Sequence, residues 1–133
     1  MQFSVWSRLV GFTALAILVV GCAGISGAPE TRESAVKARA QERWNALVAG
    51  RFDIAYEFIT PSGRSTLPIE IYRGRLSAIT WRSAKVTAVA CEPEVCEVTV
   101  ILDIDVLPNL PHQQPINEKW LLEGGKWWFV YRG

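Results

Sequence analysis

The chain is poor in the residues that carry most small-site chemistry. Its 133 residues include one histidine, His112, one methionine and three cysteines, Cys22, Cys91 and Cys96. A single histidine leaves no convincing Ser-His-Asp set, and no His/Cys cluster has the spacing of a zinc knuckle. There is no glycine-rich phosphate loop and no carboxylate cluster of the calcium-binding kind. No metal and no cofactor is therefore expected. Charge of one sign is lacking too, since 14 Lys and Arg stand against 13 Asp and Glu, a net +1. That balance excludes a dedicated nucleic-acid binder, whose affinity needs a basic surface. Long apolar runs are also missing. Leu9 to Val20 has twelve residues, and twelve helical residues cover about 18 Å of a hydrocarbon core about 30 Å thick. A permanent membrane span is not expected.

What is present is a globular composition. Half of the residues are apolar and six are tryptophan, enough to build one core and to exclude disorder over most of the length. The amino terminus is different. Met1 to Arg8 carries one arginine, the apolar run follows, and it ends in Val19-Val20-Gly21-Cys22. A short basic start and a twelve-residue apolar stretch suit a signal peptide. Its end resembles the lipobox of bacterial lipoproteins, with Val19 and Val20 where Leu and Ala or Ser are commoner. That resemblance implies lipid transfer to Cys22, cleavage between Gly21 and Cys22, and residues 1–21 as the signal peptide. Ala23 stands where an aspartate would retain an enteric lipoprotein at the inner membrane, so the periplasmic face of the outer membrane is the expected location. Residues 22–30 then form the lipidated cysteine and a tether, small, polar and without period. Its eight residues after Cys22 reach at most about 26–29 Å.

Cys91 and Cys96 remain as a pair around Glu92-Pro93-Glu94-Val95, a turn between two β-branched runs. Opposed residues of a hairpin lie about 4.5–5.5 Å apart, within disulfide range, and an oxidising compartment would keep the bond. Free thiols or a metal site are the alternatives.

The remaining order of elements follows from period and punctuation. Val36, Ala40, Trp44, Leu47 and Val48 recur at helical steps between Thr31 and Ala49, with Thr31 as cap and Gly50 just past the end. Asp53 reads as the cap of a short second helix through Ile59, stopped by Pro61-Ser62-Gly63. A third helix is expected over residues 69–76. Strand character begins at Thr80. Residues 80–91 place Val86 and Val89 out of phase, which predicts a β-bulge. Residues 95–106 put Val98, Val100, Leu102 and Ile104 on one face and Asp103 and Asp105 on the other. Residues 107–115, with three prolines, read as a long connection. Strand resumes over 116–122, and Gly124-Gly125 predicts a tight hairpin that sets Trp120 opposite Phe129.

Trp44 and Leu47 on an opening helix, Gly50-Arg51-Phe52-Asp53-Ile54-Ala55-Tyr56, and the closing Glu118-Lys119-Trp120 and Gly124-Gly125-Lys126-Trp127-Trp128 together resemble the NTF2-like superfamily, the cystatin-like α+β cone. The resemblance implies an α+β domain over residues 31–133, with three amino-terminal helices on a curved four-stranded antiparallel sheet. It also implies a pocket between helices and sheet, for which Trp44, Tyr56, Val98, Val100, Trp120 and Phe129 are the candidate lining.

Candidates for catalysis are thin. Asp103 and Asp105 read as a solvated pair, Asp53 as a cap, His112 as a loop residue, and Tyr56 and Tyr72 as core. Residues 31–82 hold nine basic against five acidic residues, and residues 83–133 four against seven; Arg73, Arg75 and Arg82 are the densest cluster. Two functions remain. The first is a membrane-anchored, non-catalytic binding or interaction module for an unknown protein or small apolar ligand, with a homodimer through the sheet face. The second is a small enzyme of the isomerase or dehydratase type. A buried, unpaired carboxylate or histidine facing the pocket would favour the second, and a pocket filled by Trp44, Trp120 and Phe129 the first.

Overall fold

Thr31 opens the first helix, as its capping position predicts. Its hydroxyl accepts the Ser34 N–H at 3.1 Å, and Ser34 Oγ accepts the Thr31 N–H at 3.0 Å, which closes a capping box. The structure, a computed structural model, describes residues 30–133. The expected signal peptide, Gly21, Cys22 and nearly all of the expected tether lie outside the described residues. Helix α1 spans Arg32–Val48 and buries Val36, Ala40, Trp44 and Leu47 along one stripe. Gly50 follows its C-cap at φ +72°, a left-handed conformation that glycine adopts without strain.

The second helix departs from expectation. Helix α2 spans Phe52–Tyr56 with Arg51 at the N-cap position and no side-chain cap. Phe52 packs against the core, and the helix starts before Asp53 can cap it. Asp53 instead pairs with Arg73 at 2.6 Å. Pro61-Ser62-Gly63 does not simply end a helix either. It begins helix α3, Pro61–Thr66, capped by Thr60, whose hydroxyl accepts the Gly63 N–H at 3.1 Å. Proline suits a first helical turn because its missing N–H would have no partner there. A side chain at Gly63 would come within 2.9 Å of Ile59 and Thr60, so this position needs glycine. Helix α4 spans Ile69–Ser77. The domain therefore has four helices, not three.

The strands are β1 (Thr80–Cys91), β2 (Val95–Leu107), β3 (Leu110–Glu123) and β4 (Lys126–Phe129), antiparallel and adjacent in chain order. The register of β1 on β2 shifts between Val86 and Ala88, which is the bulge the out-of-phase valines require, and again between Trp81 and Ser83. Cys91 faces Cys96 and the two form a disulfide. Trp120 opposes Phe129 and Leu122 opposes Trp127 across Gly124 and Gly125, both at positive φ.

Residues 107–115 are not a long connection. The chain turns at Pro108-Asn109, with Asn109 at φ 61°, and β3 is already running at Leu110. The prolines survive in the strand because of where they sit. Beyond Val130, β3 has no partner on its outer side, and the odd-numbered residues of β3 turn their N–H groups that way, as the Glu123–Lys126 hairpin pair sets the phase. Pro111 and Pro115 thus lack donors that the β2–β3 ladder never uses.

Both flanks of the sheet are covered locally. On β1, the Gln41 side chain accepts the Val86 N–H at 2.9 Å and donates to the Ala84 carbonyl at 3.0 Å. On β4, Phe129 donates to the Phe58 carbonyl at 2.7 Å and accepts the Thr60 N–H at 3.0 Å. The core lies between the helices and the inner sheet face. Tyr56, Tyr72, Tyr131, Phe129, Trp120 and Phe58 form a continuous chain of ring contacts through it, with successive centroids 5.4–6.4 Å apart. Among the described residues no helix is long and apolar enough to cross a membrane.

Candidate functional site

Helix α1 turns Arg43 toward the sheet along with its apolar stripe, and β3 turns Glu118 inward on the same face as Trp120. The two charges meet inside the domain. Arg43 Nη1 lies 2.7 Å from Glu118 Oε1, and the side chains are 4% and 3% exposed. Trp120 Nε1–H donates to Glu118 Oε2 at 3.2 Å, so both carboxylate oxygens are engaged. The Arg43 guanidinium lies over the Phe129 ring, 3.6 Å from its centroid. Taking two ions out of water costs several kcal/mol each, and only a short pair with further hydrogen bonds offsets that cost.

The offset is incomplete. Arg43 Nε, Trp44 Nε1 and the Tyr72 hydroxyl are buried without a hydrogen-bond partner. Burial pushes the Tyr72 hydroxyl above its ordinary pKa, and the nearby Arg43 charge opposes part of that shift.

Above the ion pair an open cleft of about 180 Å³ separates α1 from the exposed edge of β3 and from the segment that follows β4. Its lining is mixed, with Trp44, Ile116, Phe129 and Tyr131 beside the charged Arg43, Glu118, Lys119 and Arg132 and the polar Asn117. A larger concavity, about 510 Å³, lies on the outer sheet face beside the disulfide, between Glu92, Val95, Glu97 and Lys119. It has no buried polar group at its floor.

The six residues expected to line one pocket are divided. Trp44 and Phe129 border the cleft. Val98, Val100 and Trp120 are completely buried in the packed interior. Tyr56 is half-buried among the helices, where its hydroxyl donates to the Leu67 carbonyl at 2.6 Å. His112 is exposed on β3 rather than in a loop. Asp103 and Asp105 sit on the outer face, and Asp105 pairs with Arg82 at 2.6 Å. The arginine cluster disperses: Arg73 goes to Asp53, Arg82 to Asp105, and Arg75 Nη1 lies 3.4 Å from the Tyr131 hydroxyl. Among the described residues no group of three or more His, Cys, Asp or Glu is placed to hold a metal ion.

Arg43 and Glu118 were not singled out by residue pattern, although a signal existed. Arg43 occupies an apolar-stripe position between Ala40 and Leu47, and Glu118 an inward position between Ile116 and Trp120. Opposite charges at two core positions of different elements are a pairing signal.

No family model and no curated protein sequence matches this chain. Solved structures do. A SEC-C motif containing protein from Rhodopseudomonas palustris aligns at TM-score 0.61 and 16% identity, covering 71% of this chain and 73% of its own. A second SEC-C motif containing protein, from Psychrobacter arcticus, aligns at 0.59 and 14%, covering 73% and 60%. A Campylobacter jejuni protein with the provisional name NTF2-like transpeptidase aligns at 0.57 and 12%, covering 73% and 98%. At such identities the likeness concerns the fold alone. The fold is NTF2-like, an α+β domain with helices on an open four-stranded antiparallel sheet.

Proposed function

We propose that the protein is a lipid-anchored module of the bacterial envelope that binds a ligand or partner without transforming it. The observation that carries the non-catalytic reading is the state of Glu118. It is the buried carboxylate of the interior, and Arg43 and Trp120 occupy both of its oxygens. A general base works through an oxygen directed at substrate, and each oxygen of Glu118 is already turned to a donor inside the domain, Arg43 Nη1 or Trp120 Nε1. The histidine, His112, is exposed and several residues along β3 from the cleft. The transpeptidase name of the Campylobacter neighbour is not carried over for the same reason.

Anchoring rests on Val19-Val20-Gly21-Cys22, with lipid on Cys22 and the folded domain held near the periplasmic face of the outer membrane by residues 23–30. A homodimer through the sheet face is supported by Val95, Ile101, Leu121 and Trp128, partly exposed on the outer side of the sheet. The test of anchoring is metabolic labelling with a fatty-acid analogue. Wild-type protein takes up the label, whereas Cys22→Ser takes up none and is left as a precursor, or as a soluble periplasmic form if another peptidase cleaves it. Label retained on Cys22→Ser refutes the anchor.

A further inference from the structure

Three of the five large apolar side chains exposed among the described residues fall together at one turn, the tip of the β2–β3 hairpin. Val106 is 51%, Leu107 63% and Leu110 50% exposed. Leu107 and Leu110 form the last pair of the hairpin, and Val106 is the residue skipped where the register shifts. Pro108 and Asn109 make the turn, with Asn109 at positive φ. All of residues 106–111 are exposed, Asn109 alone among them is polar, and none packs on the core. Charge is missing as well. Residues 106–117 contain no Asp, Glu, Lys or Arg, and Asp105, the charge next to the tip, is held by Arg82 at 2.6 Å. Behind the tip, polar side chains take over with His112, Gln113 and Gln114.

A second copy of the chain is a poor occupant for this tip. It leads into the open edge of β3, where Pro111 and Pro115 remove outward N–H groups that a pairing strand would need. A turn of this size also offers far less than the roughly 800 Å² per partner of a stable dimer. A charged partner finds no counter-charge. A wedge exposed at every residue, uncharged at its end and polar behind, matches an apolar medium bounded by a polar layer, which is a lipid surface. Residues 106–111 cover two to three strand steps, about 7–10 Å, the depth that interfacial segments reach. Such a surface lies within range. Gln41 of α1 meets Val86 and Trp44 meets Trp81, so α1 begins toward the Cys91–Cys96 end of the sheet and the tip lies at the other end. The 13 residues of β2 separate those ends by about 40 Å, whereas the expected tether reaches at most about 26–29 Å. Cys22 and the tip therefore share one lipid surface only when the sheet leans toward the membrane plane.

We infer that the β2–β3 tip inserts Val106, Leu107 and Leu110 into the lipid surface to which Cys22 is tethered, giving the domain a second contact with the membrane and a fixed, leaning orientation. The inference takes that surface from the anchored reading proposed above and adds the contact.

The test uses the full-length lipidated protein in phosphatidylcholine vesicles that carry a nitroxide quencher on the acyl chain. A fluorescent amino acid in place of Leu107 should be quenched severalfold more than the same amino acid in place of Lys85, an exposed position in the middle of β1. Val106→Asn combined with Leu110→Asn, both exposed changes, should bring quenching at 107 down to the level at 85. Because the tip is uncharged, neither anionic lipid nor high salt should alter the signal. No quenching at 107, equal quenching at both positions, or a requirement for anionic lipid overturns the inserted tip. Fatty-acid label is scored on the same preparation. Labelled protein with an unquenched probe at 107 overturns the tip and leaves the anchor standing, whereas quenching at 107 on unlabelled protein refutes the anchor and leaves the tip.

Discussion

Arg43 and Glu118, 75 residues apart in sequence, meet at 2.7 Å in the interior of the domain, with Trp120 completing the carboxylate's hydrogen bonds. The pair ties α1 to β3 across the core. Its worth is conditional on both members being present, because either charge alone would be buried without compensation.

Replacing Glu118 by leucine should therefore destabilise the domain by about 3–5 kcal/mol. The double change Arg43→Met with Glu118→Leu should recover most of that loss, since two apolar groups leave no stranded charge. Urea unfolding of the two variants decides it. A double variant as unstable as the single one would mean that packing, not charge, sets the cost.

Trp120 is completely buried between Phe58 and Phe129. Trp120→Ala should cost about 3–5 kcal/mol, enough to unfold a domain of this size. His112→Ala, on an exposed position, should stay within about 0.5 kcal/mol of wild type. Thermal denaturation followed by near-ultraviolet circular dichroism separates the two.

Cys91 and Cys96 are bonded across the first hairpin. Alkylation without reduction should label neither, and the double serine variant should lose about 2 kcal/mol, the scale of a short closed loop. Quantitative labelling of both thiols in unreduced protein would contradict the bond.

Tyr72 supplies a pH signature. Burial raises its pKa above the ordinary 10.0, so the folded state holds this proton after the unfolded chain has released it. The contribution to stability is complete below about pH 10 and is lost as pH rises through the folded-state value. Tyr72→Phe should flatten this part of the alkaline decline. It should cost little at neutral pH, because the hydroxyl makes no well-formed hydrogen bond, only the contact with the Arg43 guanidinium that opposes its shift. An identical alkaline decline in the variant would assign the effect to another group.

Much of the architecture was legible because it depends on local chemistry. Thr31, the 36-40-44-47 stripe and Gly50 delimit α1, since capping and helical period act within a few residues. Gly124-Gly125 sets the register that brings Trp120 to Phe129, because a two-residue turn with positive φ admits one pairing. The out-of-phase Val86 and Val89 announce a bulge for the same reason. Residues 107–115 misled because a proline's meaning in a strand depends on which neighbour its N–H faces, and that is known only once β3 is placed at the open side of the sheet. The extra helix at Pro61 and the displaced cap at Asp53 show that competing local signals are resolved by packing, here that of Phe52 and Ile59 in the core.

By itself, then, the sequence determined the elements whose signals are short-ranged: the first helix, the first and last hairpins, the cysteine pair, and the apolar faces that must meet. Tertiary structure alone decided which charges are hidden. Arg43 and Glu118 read separately as ordinary polar residues, and only the packing of α1 on the sheet removes both from water and makes each the other's solvent. The same packing leaves Arg43 Nε and Trp44 Nε1 buried without an acceptor. Hydrogen-bond satisfaction is a property of three-dimensional neighbours, and no periodicity in the chain encodes it.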